Sequence, residues 1–228
     1  MDAIVLKISI MLVPALLAII LHEVAHGYVA ERFGDPTARL LGRLNLNPIR
    51  HLDPIGTLAI FIFGFGWARP VPVNAGNLRH PKRDMIWVSL AGPLTNLSLA
   101  IASALLLKLI GLLEPSIGGQ SELFLQMIKP LRMMAAFSLY INVLLGTFNL
   151  LPVPPLDGGR VLMGVLPHRY AAMLGKLEPF GFLLILFLVF FTDVWSLVLS
   201  PIVITLIQGL AGSQWVFVQQ SMQFLFGT

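Results

Sequence analysis

The sequence predicts a polytopic α-helical membrane protein with about five to six membrane segments and a small membrane-re-entrant β-structure between the first and the second. Two observations lead to this prediction. Of the 228 residues, 57% are hydrophobic and only 11% are charged, whereas soluble domains carry charge on about a quarter of their residues. The apolar residues also gather in runs of about 20, the length that an α-helix needs to cross a bilayer. We expect one membrane-embedded domain over residues 1–228.

The first membrane segment is predicted over residues 3–31. The chain is apolar from Ile8 to Leu21, and Gly34-Asp35-Pro36 follows the segment and stops a helix. A removable signal peptide is not expected, because the segment lacks a charged n-region and a small-residue cleavage site.

Residues 35–83 differ in composition from the rest of the chain. They are rich in proline, and with Arg32 they hold eight of the fifteen Lys and Arg residues. Two β-branched and aromatic runs, Thr57–Phe65 and Trp67–Val73, predict short strands. Strand edges cannot face lipid, so these strands must pack on protein or line a wet cavity. Because cytoplasmic loops carry the excess of Lys and Arg, we expect this β/loop region on the cytoplasmic side.

The remaining elements are predicted from apolar runs and from the glycines and prolines that separate them. In chain order they are a second span over 84–113 interrupted at Ala91–Asn96, a third span over 130–149, a proline-broken stretch at Leu150–Gly159, a short helix from Asp157 to Leu166, a helical hairpin at 178–192 and 194–211, and an amphipathic tail over 213–228.

The pattern His22-Glu23-Val24-Ala25-His26 lies in the last third of the first predicted segment. Two histidines four residues apart share one helix face and can bind one metal ion, while the glutamate can act as a general base on a water molecule there. Ionisable residues at membrane depth are costly and indicate function. The pattern therefore predicts hydrolysis of a peptide bond within the bilayer.

A catalytic zinc ion usually takes three protein ligands, so a third ligand is expected. The chain has no cysteine, which leaves an acidic residue or one of the loop histidines, His51, His80 and His168. Asp157 is the better candidate because it follows an irregular apolar stretch, although it can also cap the helix that it begins.

Two asparagines, Asn96 and Asn149, lie in predicted membrane spans. An amide in lipid must find a partner, so interhelical hydrogen bonds are the expectation for both from physical chemistry alone.

At these residues the chain resembles the site-2 protease family of intramembrane zinc metalloproteases. The resemblance covers most of the length, in a short form that lacks PDZ and CBS domains. The matching motifs are the HExxH pattern, Leu46-Asn47-Pro48, Asp53-Pro54-Ile55-Gly56-Thr57, Arg69-Pro70-Val71-Pro72-Val73-Asn74, Asn77-Leu78-Arg79, Ala91-Gly92-Pro93-Leu94-Thr95-Asn96, Asn149-Leu150-Leu151-Pro152 and Leu156-Asp157-Gly158-Gly159-Arg160.

The resemblance implies one zinc ion bound by His22, His26 and Asp157, with Glu23 as the catalytic base. It also implies that Asn149 contacts the substrate, which replaces the interhelical expectation, and that Asn96 has a similar role. The implied partner is a transmembrane protein substrate within membrane lipid, cleaved in regulated intramembrane proteolysis.

Two other functions are considered. An inactive, substrate-binding relative of the family is one of them, but His22, Glu23, His26 and Asp157 are all present, which argues against it. A divalent metal-ion transporter or channel would also need His and Asp ligands at membrane depth, but it does not explain the glutamate between the histidines. A nucleic-acid partner is not expected, because the net charge of +4 is spread over loops at membrane edges. We expect an integral protein of the prokaryotic inner membrane with its active site toward the cytoplasm.

Overall fold

The structure, a computed structural model, describes residues 2–56, 68–117 and 122–227. The described residues form helices joined by loops and contain no β-strand. In chain order the helices are α1 (Asp2–Arg32), α2 (Thr37–Leu40), α3 (Pro48–His51), α4 (Pro81–Ile117), α5 (Glu122–Asn149), α6 (Asp157–Val165), α7 (His168–Gly175), α8 (Gly181–Phe191), α9 (Ser200–Ala211) and α10 (Trp215–Phe226), with 3-10 turns at Ala75–Asn77, Glu178–Phe180 and Gly212–Gln214 and a π-helical turn at Trp195–Leu199.

Four stretches of the described chain are long and apolar enough to cross a membrane: Ile4–Arg32, Pro81–Leu113, Ile128–Asn149 and Trp195–Phe226. The sequence predicted five to six. The difference lies in the last hairpin, where α8 has only 11 residues. At about 1.5 Å per residue, α8 extends roughly 16 Å, about half of the hydrocarbon thickness of a bilayer.

The second span is not interrupted at Ala91–Asn96 as the sequence predicted. α4 is continuous through Pro93, and α1 and α5 likewise contain Pro14 and Pro130 in their interiors. Proline removes one backbone N–H from a helix, and neighbouring protein groups satisfy the freed carbonyl in a membrane helix.

The β-structure predicted between the first two spans is not confirmed. Thr57–Phe65 lies outside the described residues, and the described part of Trp67–Val73 forms an isolated antiparallel bridge between Ala68 and Leu52 rather than a strand. The backbone N–H of Arg69 also donates to the carbonyl of His51 at 2.8 Å. Beyond this point, Pro70 and Pro72 lack the N–H groups that a ladder requires.

The chain divides into two compact units. The first unit contains residues 1–18, 96–147 and 192–228, and the second contains residues 19–95 and 148–191. The cores of the first unit are formed by side chains from α1, α4, α5, α9 and α10, with Leu107, Leu139 and Val218 among the most buried. Whether the chain behaves as one domain stays a prediction.

A ladder of polar side chains crosses the interior of the first unit. The Asn96 amide donates to the carbonyl of Ala18 at 3.3 Å and to Oδ1 of Asn142 at 2.9 Å. Asn142 donates to the carbonyl of Ser138 at 2.9 Å, and the hydroxyls of Ser138 and Ser103 lie 2.8 Å apart. These hydrogen bonds join α1, α4 and α5, as polar residues do between membrane helices.

The loops of the second unit are organised around the buried carboxylate of Asp35. Asp35 accepts hydrogen bonds from the backbone N–H and hydroxyl of Thr37 at 3.1 and 2.5 Å, from the backbone N–H of Asn74 at 2.6 Å and from the amide of Asn77 at 2.9 Å. Burial alone would raise the pKa of Asp35, but these donors hold it below its ordinary value. One ionised side chain therefore joins the start of the loop region to its end.

Replacing Asp35 by alanine should destabilise the protein, because four donors lose their acceptor. The expected loss is about 2 kcal/mol, or about 4–8 °C in the midpoint of thermal unfolding. The exposed Asp193 provides the matched control, since Asp193→Ala should leave the midpoint unchanged. Equal midpoints for Asp35→Ala and wild type would show that Asp35 does not hold the loops.

The contribution of Asp35 should depend on pH in a defined direction. Its folded pKa is lowered, so the stabilisation is fully present above the ordinary Asp pKa of about 4 and is lost as the pH falls through the folded value. The difference in unfolding midpoint between wild type and Asp35→Ala should therefore shrink below about pH 4.

Candidate metal centre

His22 and His26 place two imidazole nitrogens side by side on α1. The Nε2 atoms of the two rings lie 3.1 Å apart, and the rings meet edge to face with their centroids 4.7 Å apart. Both side chains are buried. The spacing of four residues produces this arrangement, because it returns the chain to the same helix face.

Asp157 brings a carboxylate to the same point from the first turn of α6. Its Oδ2 lies 3.1 Å from Nε2 of His22, and its Oδ1 lies 3.3 Å from Nε2 of His26. Burial alone would raise the pKa of Asp157, but its contacts with the two histidines hold that pKa below its ordinary value. The carboxylate is therefore ionised and suited to bind a cation.

These three side chains fit a metal ion. Nδ1 of His26 lies 2.7 Å from the carbonyl of Val88, which can only accept, so Nδ1 carries the hydrogen. In the neutral ring, Nε2 then carries no hydrogen. Its lone pair faces Nε2 of His22 and an Asp157 oxygen. The candidate ligand atoms of the three residues all lie within 4.8 Å of one another. A cation would bind the lone pairs of these nitrogen and oxygen atoms, which otherwise face one another. A backbone carbonyl that fixes the tautomer of a histidine, as Val88 does here, is also typical of metal sites.

Glu23 is held by a backbone donor from the loop region. The N–H of Val71 donates to Oε2 of Glu23 at 2.8 Å. Val71 lies between Pro70 and Pro72, which have no N–H, so it is the one backbone donor of this tripeptide. The half-buried carboxylate is thereby oriented by a group outside its own helix.

Gly92 leaves the space in which the two histidine rings meet. A Cβ atom built at this position of α4 would lie 2.5 Å from Cε1 of His22, 2.5 Å from Nε2 of His26 and 2.6 Å from Nε2 of His22. Contacts this short do not occur in proteins, so a side chain at this position would displace both rings.

The position of Asp157 depends on close packing at the start of α6. A Cβ atom at Gly158 would collide with the carbonyl of Leu150, and one at Gly159 would lie 2.5 Å from the backbone nitrogen of Pro154. The two glycines therefore let the segment between α5 and α6 pack directly on the first helical turn, which carries the ligand.

The other histidines considered as ligands do not join this group. His51 is buried at the end of α3, where Nε2 donates to the carbonyl of Asn45 at 2.8 Å. His80 lies in the loop before α4, where its backbone N–H donates to Asp84 at 2.7 Å, and His168 begins α7.

The two asparagines occupy different environments. Asn96 is completely buried and forms the interhelical hydrogen bonds described above, so its contact with a substrate stays a prediction. Asn149 is the half-buried last residue of α5. The carbonyl of the next residue, Leu150, packs against Gly158, which follows Asp157, so the end of α5 lies near this ligand. The contact of Asn149 with a substrate also stays a prediction.

Two contributors to the centre were not predicted from the sequence: the Val88 carbonyl and the Val71 N–H. A carbonyl has no sequence signature. The prolines on both sides of Val71 are a signal, since they isolate a single donor, but its partner is fixed only by the fold.

Comparison with known proteins identifies relatives of this chain. The family described as Peptidase family M50 matches residues 10–191. "Putative zinc metalloprotease YwhC" of Bacillus subtilis is 42% identical over 191 residues, which cover 79% of this chain and 80% of the relative. "Putative zinc metalloprotease Rip2" of Mycobacterium tuberculosis is 34% identical, covering 76% and 64% of the two chains.

A more distant relative is "Zinc metalloprotease MJ0392" of Methanocaldococcus jannaschii, which is 26% identical over 71% of this chain and 36% of its own length. No solved structure matches the chain.

Replacing Gly92 by alanine should abolish or strongly weaken metal binding, because the added methyl group would displace the ligand rings. We expect zinc affinity to fall by at least about 10–100-fold, measured by metal analysis of purified protein after dialysis against zinc buffers. Gly209→Ala is the matched control, since a Cβ there meets no atom within 4 Å. Unchanged zinc affinity in Gly92→Ala would contradict the geometry of the centre.

Proposed function

The chain belongs to peptidase family M50 and is a zinc metalloprotease; from this premise we propose that it hydrolyses a peptide bond in or near the transmembrane segment of a membrane-protein substrate. The observation that supports this most directly is the placement of the metal centre. His22, Glu23 and His26 lie within Ile4–Arg32, one of the four candidate spans. Catalytic groups inside a membrane span are placed to act on a substrate that is itself in the membrane.

Zinc is the cofactor, and His22, His26 and Asp157 are the residues that would hold it. When bound, zinc supplies a Lewis acid that polarises the scissile carbonyl and lowers the pKa of a water molecule. Two nitrogen ligands and one carboxylate leave a coordination position open for that chemistry.

Glu23 is proposed as the general base and acid. Its carboxylate takes a proton from the attacking water and returns it to the leaving amine nitrogen as the peptide bond breaks. The hydrogen bond from Val71 orients one carboxylate oxygen and leaves the other, Oε1, for the proton. Asn149 is proposed to donate from its amide to the substrate backbone or to the developing oxyanion.

Substrate binding along residues 69–73 is limited by the available backbone donors. Pro70 and Pro72 have no N–H. The N–H of Arg69 donates to His51, and the N–H of Val71 donates to Glu23. Within residues 69–73, this leaves the N–H of Val73 as the available donor. A substrate strand would therefore have to donate its own N–H groups to carbonyls of this segment, so we propose an acceptor edge rather than a full β-ladder. A transmembrane helix must unwind to offer those N–H groups, since they are otherwise hydrogen-bonded within the helix.

The location of the reaction is also a proposal. The Lys and Arg residues of 32–83 favour the cytoplasmic side of a prokaryotic inner membrane for the end of α1 that carries the metal centre. Cleavage there would release the cytoplasmic part of a substrate, which is the purpose of regulated intramembrane proteolysis. A metal transporter or channel is not favoured, because the relatives are named as zinc metalloproteases and because transport does not explain the glutamate between the two histidines.

Replacing Glu23 by glutamine should abolish cleavage while retaining zinc, because the amide keeps the shape of the side chain but cannot accept the proton. The rate should fall by at least about 100-fold, measured on a designed transmembrane peptide reconstituted with the protein in liposomes. Zinc content serves as the control for folding. Cleavage at the wild-type rate by Glu23→Gln would refute the assignment.

Replacing Val71 by proline should slow cleavage without loss of zinc, because it removes the N–H that holds Glu23. A hydrogen bond to a charged group is worth about 1.5 kcal/mol or more, which corresponds to about tenfold in kcat. Val71→Ala keeps the N–H and is the matched control. If both variants lose the same activity, the side chain of Val71 matters and its N–H does not.

A further inference from the structure

A glycine turn at the end of α2 fixes the position of Arg43. Gly42 has a φ of +62°, a left-handed conformation in which helices commonly end. The turn brings the backbone N–H of Arg43 to the carbonyl of Ala38 at 2.8 Å. Ala38 and Leu44, the residue after Arg43, both pack on α1, because a Cβ atom at Gly27 would lie 2.7 Å from a methyl group of Leu44 and 2.9 Å from Cβ of Ala38. The backbone of Arg43 is therefore anchored beside α1.

The same position on α1 is also in contact with Val71. A Cβ atom at Gly27 would lie 2.8 Å from Cγ1 of Val71. Gly27 follows Glu23 by four residues, so the two positions share one face of α1. Val71 packs on that face, and its N–H donates to Oε2 of Glu23 at 2.8 Å. The loop that carries Arg43 and the donor to Glu23 therefore meet α1 at one place.

The side chain of Arg43 links this loop to the segment that carries Val71. Its Nη2 donates to the carbonyl of Arg69 at 2.9 Å, while the backbone N–H of Arg69 donates to the carbonyl of His51 at 2.8 Å. The peptide groups on both sides of Arg69 are thereby held. Because the ring of Pro70 fixes its φ and peptide groups are planar, only ψ of Pro70 can rotate between the carbonyl that Arg43 holds and the N–H of Val71.

The guanidinium of Arg43 is not placed to satisfy all of its own donors. Within the described ranges, its Nε is buried without a hydrogen-bond partner, and it forms no ion pair with a carboxylate. Burial lowers the pKa of Arg43 and the charge of Arg69 lowers it further, while the charge of Glu23 acts in the opposite direction. Buried donors without a partner are uncommon and need an explanation. The hydrogen bond to the Arg69 carbonyl supplies one, since it requires the guanidinium at this place.

We propose that Arg43 is a positioning residue for Glu23: by holding the carbonyl of Arg69, it directs the N–H of Val71 to the Glu23 carboxylate. Its effect on cleavage rests on the proposed function, whereas the contact itself exists without catalysis. A guanidinium suits this role because it is rigid, planar and always charged. Arg43 acts through the Val71 N–H and not on the reacting atoms.

A double-mutant cycle tests whether Arg43 acts through Val71. Arg43→Gln should lower kcat about tenfold, as Val71→Pro does, with KM and zinc content nearly unchanged. Combined with Val71→Pro, Arg43→Gln should cause no further loss, because the N–H through which it acts is already absent. Losses that multiply to about 100-fold in the double variant would overturn the proposal. Arg39→Gln is the matched control, since Arg39 lies in the same loop and pairs with Glu31; its kcat should equal that of the wild type.

Hydrogen exchange tests the contact without any cleavage. Exchange of the Val71 N–H with deuterium is followed by NMR on 15N-labelled protein. In Arg43→Gln this exchange should become at least about tenfold faster, because the N–H is no longer directed to the Glu23 carboxylate. The N–H of Asn74, which donates to Asp35 at 2.6 Å, is the internal reference and should exchange at the wild-type rate. An unchanged rate for Val71, or an equal acceleration at Asn74, would overturn the proposal.

The two measurements separate this proposal from the proposed function. If the wild type cleaves no transmembrane peptide, the proposed function fails, and the exchange rates still decide whether Arg43 holds Val71. If Glu23→Gln abolishes cleavage but Arg43→Gln changes neither kcat nor exchange, only the positioning role is overturned. Should Arg43→Gln lose its zinc, Arg43→Met replaces it in both measurements with the same expected results, because methionine keeps an unbranched side chain without a donor.

Discussion

Two imidazole rings and a carboxylate can meet at one point only because α4 has no side chain where it faces them. A Cβ atom at Gly92 would lie 2.5 Å from ring atoms of both histidines, so the helices could not approach with any other residue there. The same approach brings the Val88 carbonyl, one helical turn away, to within 2.7 Å of Nδ1 of His26. The absence of a side chain at position 92 therefore determines both the helix contact and the tautomer of His26. In membrane proteins, small residues commonly allow helices to approach this closely.

Groups outside α1 then orient the reactive side chains. Val88 fixes the tautomer of His26, the Val71 N–H holds Glu23, and the packing of residues 150–154 on Gly158 and Gly159 positions Asp157. Asp35 joins the two ends of the loop region that supplies Val71. The hydrogen bonds among these contacts satisfy polar groups away from water. A polar group without a hydrogen-bond partner in such a low-dielectric environment would cost free energy. In the first unit, the hydrogen bonds of the polar ladder satisfy buried side chains in the same way; its members are Asn96, Asn142, Ser138 and Ser103.

Much of this was predictable from the sequence, for identifiable reasons. The spacing of His22 and His26 dictates a shared helix face, and the helices that carry them and Asp157 were predicted close to their observed bounds. Pro93 misled the prediction of a break in α4, because composition does not show how neighbouring helices satisfy a freed carbonyl. The last hairpin was counted as two spans although α8 is too short.

The central claim is that His22, His26 and Asp157 together bind a single zinc ion. Anomalous X-ray scattering at the zinc absorption edge, from crystals of the purified protein, tests this most directly. We expect one peak, about 2.0–2.2 Å from Nε2 of each histidine and from an Asp157 oxygen, with Glu23 beside it but not in contact. A peak bound by the histidines without Asp157, or a peak at His51, His80 or His168, would contradict the claim.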